Sequence, residues 1–211
     1  MKLIEVHAME NEQNYVELWG CAADEAQLSH ENHGRRFYKF PLRVERLSGQ
    51  ADCPIILASE AQLASLPVRK GDALRVTGSL RSFNNKSGEG NRLLLSVLAQ
   101  TLCPGTQEHF NRILLSGCLC KPPVLRRTPL GRSICDLVLA VNRRYGRADY
   151  LPCIAWGQLA SVLAEKDVGA HIVLEGRLQS RSYTKTVDGI SHQRTAYEVS
   201  MMHLTEEECG E

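Results

Sequence analysis

The chain has 211 residues, of which 43% are hydrophobic and 23% charged, and its formal net charge is +1. No run reaches the about 18–20 apolar residues of a membrane-spanning helix. The first residues (MKLIEVHAMENEQ) lack the basic and apolar pattern of an export signal. We therefore expect a cytoplasmic protein rather than a membrane or exported one, with two domains of about 100 residues each.

The first half of the chain predicts short strands around one short helix. Apolar and polar residues alternate between Tyr38 and Val44, which is the period of a strand with one buried face. In chain order, the predicted elements are strands at 14–20 and 38–44, a helix at 60–66, strands at 73–80 and 93–98, and a linker at 101–107.

The second half predicts the same order of elements. Cys135, Leu137, Leu139 and Val141 alternate with less apolar residues, which again indicates a half-buried strand. The predicted elements are strands at 113–117, 135–141 and 150–156, a helix at 158–165, and strands at 172–178 and 196–201. A loop at 120–132 and a polar stretch at 183–194, with a hairpin turn at Asp188 and Gly189, lie between them.

The two halves repeat one another at an offset of about 97 residues. NYVELWG at 14–20 aligns with NRILLSG at 111–117, and 37–46 aligns with 134–143. A repeat this long is a whole domain, because solenoid units span about 20–50 residues. Five strands with a helix between the third and fourth is the order of an OB barrel.

We therefore predict an all-β protein with tandem OB folds. Each fold is expected to be a five-stranded Greek-key barrel with one short helix. The predicted boundaries are 1–103 for the first OB domain, 108–204 for the second and 205–211 for a short acidic tail.

The two repeats differ in charge. Residues 1–106 carry 12 basic and 12 acidic side chains, whereas residues 107–204 carry 13 basic and 8 acidic ones. A positive balance favours a polyanionic partner, although an uneven scatter of surface charge is the alternative. The second repeat is therefore the better candidate for binding nucleic acid.

The cysteines and histidines do not indicate a metal site or an enzyme. The sequence has no CxxC motif, and Cys118 and Cys120 stand without a second pair. We therefore expect reduced, buried cysteines and no cofactor. His30 and His33 are expected to be solvated in a loop, and no nucleophile motif supports catalysis.

Five motifs occur in order along the second repeat. They are NRILLSG at 111–117, PVLRRTPLG at 123–131, LAVNR at 139–143, DYLPCIAWGQLA at 149–160 and EGRLQSRSY at 175–183. With these motifs, residues 111–204 resemble the bacterial single-stranded DNA-binding protein family, and the first repeat resembles it more loosely. The resemblance implies an OB fold that binds single-stranded DNA in replication, recombination or repair, and no catalysis.

The chain departs from the family pattern in two respects. Family members usually carry one barrel and assemble as tetramers, so two barrels per chain imply a homodimer that presents four barrels. The ending EEECGE is acidic but lacks the apolar tip with which family members recruit replication and repair proteins. Recruitment of such partners therefore stays open.

The resemblance also implies which residues contact DNA. Binding without sequence preference needs rings on which bases stack and cations for the phosphates, and arginine serves both purposes. The predicted stacking residues are Tyr145, Tyr150, Trp156 and Tyr183, with Phe83 in the first repeat. The predicted phosphate-binding residues are Arg126, Arg127, Arg132, Arg143, Arg144, Arg147, Arg181, Lys185 and Arg194, with Arg81 and Lys86 in the first repeat.

The first repeat lacks most of these rings. Ser48 and Cys53 stand at the positions of Tyr145 and Tyr150, and no aromatic residue matches Trp156. Tyr150 and Trp156 are six residues apart in an extended run, so they should point from one face. The alternative is that either ring fills the core or a subunit contact. We expect weaker DNA binding in the first barrel, with a role in assembly or in docking another protein.

Three other functions stay open at this point. An OB barrel can host an enzyme, because fold does not determine function. The primosomal replication proteins resemble the same family, so a protein-interaction module with secondary single-strand binding is a second alternative. RNA is a third, because stacking does not sense the 2′-hydroxyl group.

Overall fold

The computed structural model describes residues 13–85, 91–187 and 190–205, apart from the side chains of Arg144, Val187 and Ile190. The first repeat contains strands β1 (Asn14–Ala22), β2 (Gln27–Asn32), β3 (Arg35–Glu45), β4 (Ala51–Asp52) and β5 (Ile55–Ser59), helix α1 (Glu60–Ser65), and strands β6 (Ala73–Asn84) and β7 (Leu93–Pro104). The second contains β8 (Phe110–Leu119), β9 (Val124–Arg127), β10 (Ser133–Asn142), a 3-10 turn (Arg144–Gly146), β11 (Ala148–Trp156), helix α2 (Gln158–Ala164), β12 (His171–Val187) and β13 (Ile190–Thr205).

In the first barrel the strands are hydrogen-bonded in the order β2-β3-β5-β7-β6-β1, and β3 also pairs with β1, which closes the barrel. Most pairs are antiparallel, but β5 and β7 run parallel. The alternation predicted for this repeat produces the core, because Phe40 and Leu42 are fully buried on β3.

The second barrel repeats this arrangement with the order β8-β12-β13-β11-β10-β9 and a closing pair between β8 and β10. Here β11 and β13 run parallel, with Cys153 opposite Val199. Leu137, Leu139 and Val141 of β10 are buried in its core. Both barrels thus have the tandem OB architecture that the sequence predicts.

Repeated glycines allow each barrel to close. A Cβ atom on Gly20 would lie 2.2 Å from the carbonyl oxygen of Arg43, where β1 meets β3. A Cβ on Gly117 would lie 2.6 Å from the carbonyl oxygen of Ala140, at the equivalent meeting of β8 and β10. Only glycine permits such a close approach of two backbones, which explains why it recurs at this position.

Helix α1 begins with a capping box. The amide of Gln62 donates to the Ser59 hydroxyl at 3.3 Å, and the Gln62 side chain accepts from the Ser59 amide at 2.8 Å. These bonds satisfy the backbone amides of Ser59 and Gln62, which would otherwise lack an acceptor at the start of the helix. The sequence therefore favours a helix that begins at this point. Both helices lie within one residue of their predicted bounds.

The chain divides into two compact units that do not follow the repeat boundary. The first unit consists of Val16–Arg112 together with Leu178–Tyr197, and the described part of the second unit consists of residues 13–15, 113–177 and 198–205. Leu178–Tyr197 comprises the far ends of β12 and β13, which we call the distal hairpin. This hairpin belongs to the second repeat in sequence but to the first unit in structure.

Two sequence predictions differ from the structure. The predicted loop at 120–132 contains strand β9, which pairs with β10. The predicted linker at 101–107 begins inside β7, which continues to Pro104. The polar hairpin predicted at 183–194 agrees with the structure, where the described part is formed by the ends of β12 and β13. The predicted turn at Asp188 and Gly189 lies outside the described residues.

Among the described residues, no helix is long and apolar enough to cross a membrane.

Candidate nucleic-acid interface

In the second unit, two aromatic rings point outward from one face of β11. Tyr150 is 53% and Trp156 is 42% exposed. Leu151, Cys153 and Ala155, on the opposite face of the strand, are buried in the barrel. The prediction that both rings share the outer face is therefore confirmed, and neither ring fills the core.

The spacing of these rings sets what they can contact. Six residues of extended chain separate Tyr150 from Trp156, which corresponds to about 20 Å along the strand. The two rings therefore cannot sandwich one base, and each would stack on a different one. Trp156 ends its strand because Gly157 follows in the left-handed region, with φ at +61°, and turns the chain into α2.

Tyr145 lies in the turn that connects β10 to β11. Its side chain is 96% exposed, and its backbone is left-handed with φ at +65°. The turn is closed by a hydrogen bond from the amide of Arg143 to the carbonyl of Arg147 at 2.7 Å. A bulky residue held in this conformation indicates strain that the surrounding structure sustains, a feature that clusters at functional sites.

The predicted cations on β9 and in its connection to β10 differ in whether a carboxylate pairs with them. Arg126 forms a bidentate ion pair with Asp136, with a distance of 3.1 Å between Nη2 and Oδ1. Arg127 and Arg132 are exposed, and no carboxylate of the described residues pairs with them. The latter two arginines therefore present uncompensated charge at the surface of the second barrel, whereas the charge of Arg126 is offset.

The cations after β10 differ in the same way. Arg143 pairs with Asp149, whose carboxylate is completely buried. Arg147 is exposed, and the side chain of Arg144 lies outside the described residues. The pair between Arg143 and Asp149 holds the ends of the turn that carries Tyr145, so Arg143 has a structural role there.

The distal hairpin carries the remaining residues predicted for the second repeat, and the structure places them in the first unit. The guanidinium of Arg181 lies 5.6 Å from the ring centroid of Tyr183. The Tyr183 hydroxyl donates to Oδ1 of Asn91 at 2.9 Å. Lys185 is exposed, and Arg194 is half-buried.

The first unit also contains the predicted residues of the first repeat. Phe83 on β6 is 43% exposed and lies opposite Leu94 on β7, which is 44% exposed. Arg81 is half-buried on the same strand, and Lys86 lies outside the described residues. Tyr183 and Phe83 thus belong to one compact unit, while Tyr145, Tyr150 and Trp156 belong to the other.

A polar cluster that sequence reasoning missed holds the distal hairpin on the first barrel. Asp52, only 1% exposed, accepts hydrogen bonds from the amide and the hydroxyl of Ser180, both at 2.7 Å. Arg46 pairs with Asp52 at 2.6 Å and donates to the carbonyl of Ser180 at 2.8 Å. Burial opposes ionisation of Asp52, but the bonds from Arg46 and Ser180 outweigh it and lower the pKa of this carboxyl.

A second contact holds the hairpin nearby. The amide of Cys53 donates to the hydroxyl of Tyr197 at 3.1 Å. Burial raises the pKa of Tyr197 to about 12, so this phenol stays neutral. One signal for the cluster was present in the sequence: Arg46 and Asp52 recur in the repeat as Arg143 and Asp149, but only the structure shows that Ser180 joins them.

The histidine and cysteine predictions are partly wrong. His30 lies in β2 rather than in a loop, and its ring stacks on Phe37 with centroids 5.2 Å apart. All seven described cysteines are free, but Cys135 and Cys153 alone among them are buried. No group of three or more potential ligands that could hold a metal occurs among the described residues.

Comparison with known proteins identifies the family. The model of the "single-strand binding protein family" matches residues 110–205. Single-stranded DNA-binding protein 2 of Streptococcus agalactiae is 33% identical over 104 residues, which cover 46% of this chain and 78% of that protein. The chain belongs to the single-strand binding protein family.

Two further relatives show how the family's features are distributed over this chain. Single-stranded DNA-binding protein A of Bacillus subtilis is 38% identical over 81 residues, which are 35% of this chain and 47% of that protein. A crystal structure of a deletion mutant of the single-stranded DNA-binding protein from Thermus aquaticus superposes with a TM-score of 0.73 and 25% identity. It covers 92% of this chain, so this family member has the tandem arrangement over both repeats.

Proposed function

We propose that this protein binds single-stranded DNA with little preference for base sequence and so protects it during replication, recombination or repair. The observation that carries the proposal is the outer face of β11, where Tyr150 and Trp156 expose their rings, in a barrel that also exposes arginines without a described carboxylate partner. Exposed rings and cations are the two components of sequence-tolerant single-strand binding. The protein acts by binding and catalyses no reaction.

Bases stack on the exposed rings in this proposal. Tyr145, Tyr150 and Trp156 serve the second unit, and Tyr183 and Phe83 serve the first. Each stacked base contributes about 1–3 kcal/mol, whatever its identity. The spacing of Tyr150 and Trp156 requires that the DNA runs along the barrel rather than across one point of it.

The phosphates contact the exposed arginines. Arg127, Arg132 and Arg147 contribute most, because their charges are not offset by a described carboxylate. Arg126 and Arg143 contribute less, because each already pairs with an aspartate. Arg181 acts beside Tyr183, where a guanidinium can also stack on a base.

The protein acts in the cytoplasm as a homodimer. Each chain supplies two OB barrels, so two chains present the four barrels expected of the family. Light scattering on the purified protein tests this proposal: a mass of two chains is expected, and a monomer at micromolar concentration would contradict it.

Fluorescence anisotropy of labelled oligo-dT of about 35 nucleotides tests the function. A duplex and an oligo-U of equal length serve as the comparison ligands. Binding to oligo-dT that weakens with added salt, with little affinity for the duplex, is expected because phosphate contacts release counterions. Equal affinity for single strand and duplex would contradict the proposal, and tighter binding to oligo-U would indicate RNA as the ligand.

A further inference from the structure

Asn91, in the first repeat, contacts the distal hairpin of the second repeat. Its Oδ1 atom accepts the hydrogen bond of the Tyr183 hydroxyl at 2.9 Å, and its Nδ2 group donates to the carbonyl of Thr195. Tyr183 is on β12 and Thr195 is on β13, so a single amide side chain contacts both strands of the distal hairpin.

The ring of Tyr183 is held at two points. Asn91 holds its hydroxyl end, and the guanidinium of Arg181 lies 5.6 Å from the ring centroid. The side chain is also half-buried. A ring fixed in this way loses less rotamer freedom when a base stacks on it, which is how preorganisation increases affinity.

The base of the hairpin is fixed independently. Ser180 is bonded to the buried carboxylate of Asp52, and Tyr197 is bonded to the backbone of Cys53. These contacts lie at the base of the hairpin, and Asn91 contacts Tyr183 and Thr195 farther along its two strands. The hairpin is therefore hydrogen-bonded to the first repeat at its base and also at Tyr183 and Thr195.

We infer that Asn91 is a positioning residue that orients the Tyr183 ring for base stacking. The first barrel thereby contributes to DNA binding through a contact that involves no stacking ring of its own. The inference rests on the proposed binding of single-stranded DNA. It assigns to the divergent repeat a role in affinity rather than in assembly alone.

The test compares Asn91→Ala with Tyr183→Phe, which removes the hydroxyl and keeps the ring. Each variant should bind oligo-dT about five-fold more weakly, because both remove the hydrogen bond between Asn91 and the Tyr183 hydroxyl. The double variant should be no weaker than Asn91→Ala, since that variant already loses this bond together with the one to Thr195. Asn84→Ala, an exposed asparagine at the end of β6, is the matched control and should bind like the wild type.

A second readout separates positioning from loss of structure. Oligo-dT that carries 5-iodouracil is photocrosslinked to the protein, and the attached peptides are identified by mass spectrometry. In Asn91→Ala, the crosslink yield should fall at Tyr183 and stay unchanged at Trp156. Equal falls at both rings would indicate a general loss of binding and overturn the inference.

The outcomes distinguish the inference from the function on which it rests. If the wild-type protein fails to bind oligo-dT, the proposed function is wrong. If the wild type binds and Asn91→Ala binds equally well, the function stands and the positioning role is wrong. Fold changes that multiply in the double variant would likewise overturn it, because the two side chains would then act independently.

Discussion

The two barrels share an arginine–aspartate pair with a buried carboxylate, which we call the framework pair, and differ in the surface next to it. Arg46 pairs with Asp52 in the first unit as Arg143 pairs with Asp149 in the second, and both carboxylates are buried. Cys53 takes the position of Tyr150, and its backbone amide bonds to Tyr197 of the distal hairpin.

This difference shows how two copies of one domain can acquire different surfaces while they keep the same ion pair. Where the second barrel exposes a ring on β11, the first barrel has a small side chain and holds a hairpin instead. The framework pair is kept in both copies because it supports the turn before that strand. The surface around the pair differs, from a face with exposed rings in the second barrel to one that holds the distal hairpin in the first.

The largest expected effect comes from breaking the shared framework. Asp52→Ala leaves the guanidinium of Arg46 without its carboxylate and the Ser180 amide without its acceptor. We expect a loss of about 2–4 kcal/mol in the free energy of unfolding, below the full value for a buried pair because Arg46 is partly exposed. Urea denaturation measures it, and Asp149→Ala is the matched change in the second barrel.

A loss of under about 1 kcal/mol for Asp52→Ala would contradict the framework role, since even one unsatisfied buried group costs more. Hydrogen exchange sharpens the comparison. The Ser180 amide should exchange faster in Asp52→Ala, because its hydrogen bond to that carboxylate is lost.

The next effect concerns the surfaces that differ. Trp156→Ala should weaken oligo-dT binding by about 1–3 kcal/mol, the stacking value of one base, which is a change of about 5- to 150-fold in affinity. Phe83→Ala should weaken it less, because the first repeat lacks counterparts of Tyr145, Tyr150 and Trp156. Anisotropy at one fixed salt concentration measures both, and equal losses would break the proposed asymmetry.

Much of the fold could be predicted because its signals are local. Alternation along β10 and the repeat itself predicted the barrels, and the outward direction of Tyr150 and Trp156 followed from strand period. Strand β9 was missed because four exposed residues show no alternation. The register of β9 against β10 brings Arg126 close to Asp136. Without β9, the ion pair between these two residues could not be predicted either.

The assignment of the distal hairpin to the first unit could not be predicted. Asp52 and Ser180 are 128 residues apart in the chain, and Asn91 and Tyr183 are 92 apart. No local pattern encodes which polar groups meet over such separations, because a serine, an asparagine or a tyrosine hydroxyl suits solvent equally well. The domain boundary drawn from the repeat therefore separates residues that the structure brings together.

Acid should weaken the first unit through Asp52. Its folded-state pKa is lowered, since bonds from Arg46 and Ser180 outweigh burial. The associated stability is therefore complete above the unfolded-state pKa of about 3.9 and is lost as pH falls below that value. The urea midpoint of the wild type should fall more steeply below about pH 4 than that of Asp52→Asn.

Glu45→Gln is the control for that experiment. The pKa of Glu45 is also lowered, by its hydrogen bond from Arg43, but this pair is exposed to solvent and contributes little stability. Its acid profile should therefore follow that of the wild type. If Asp52→Asn and Glu45→Gln gave parallel profiles, the buried carboxylate would not be the source of the acid sensitivity.

The smallest expected effect distinguishes two adjacent arginines of the second barrel. Removing a phosphate contact lowers the slope of log K against log salt by about 0.7 for single strands. Arg127→Ala should lower the slope by about this amount, and Arg126→Ala by less, because Asp136 already offsets its charge. Asp136→Asn should free Arg126 and strengthen binding. Equal slopes for the two alanine variants, with no gain in affinity from Asp136→Asn, would contradict this prediction. DNA would then displace the Asp136 carboxylate, and Arg126 and Arg127 would contribute equally to binding.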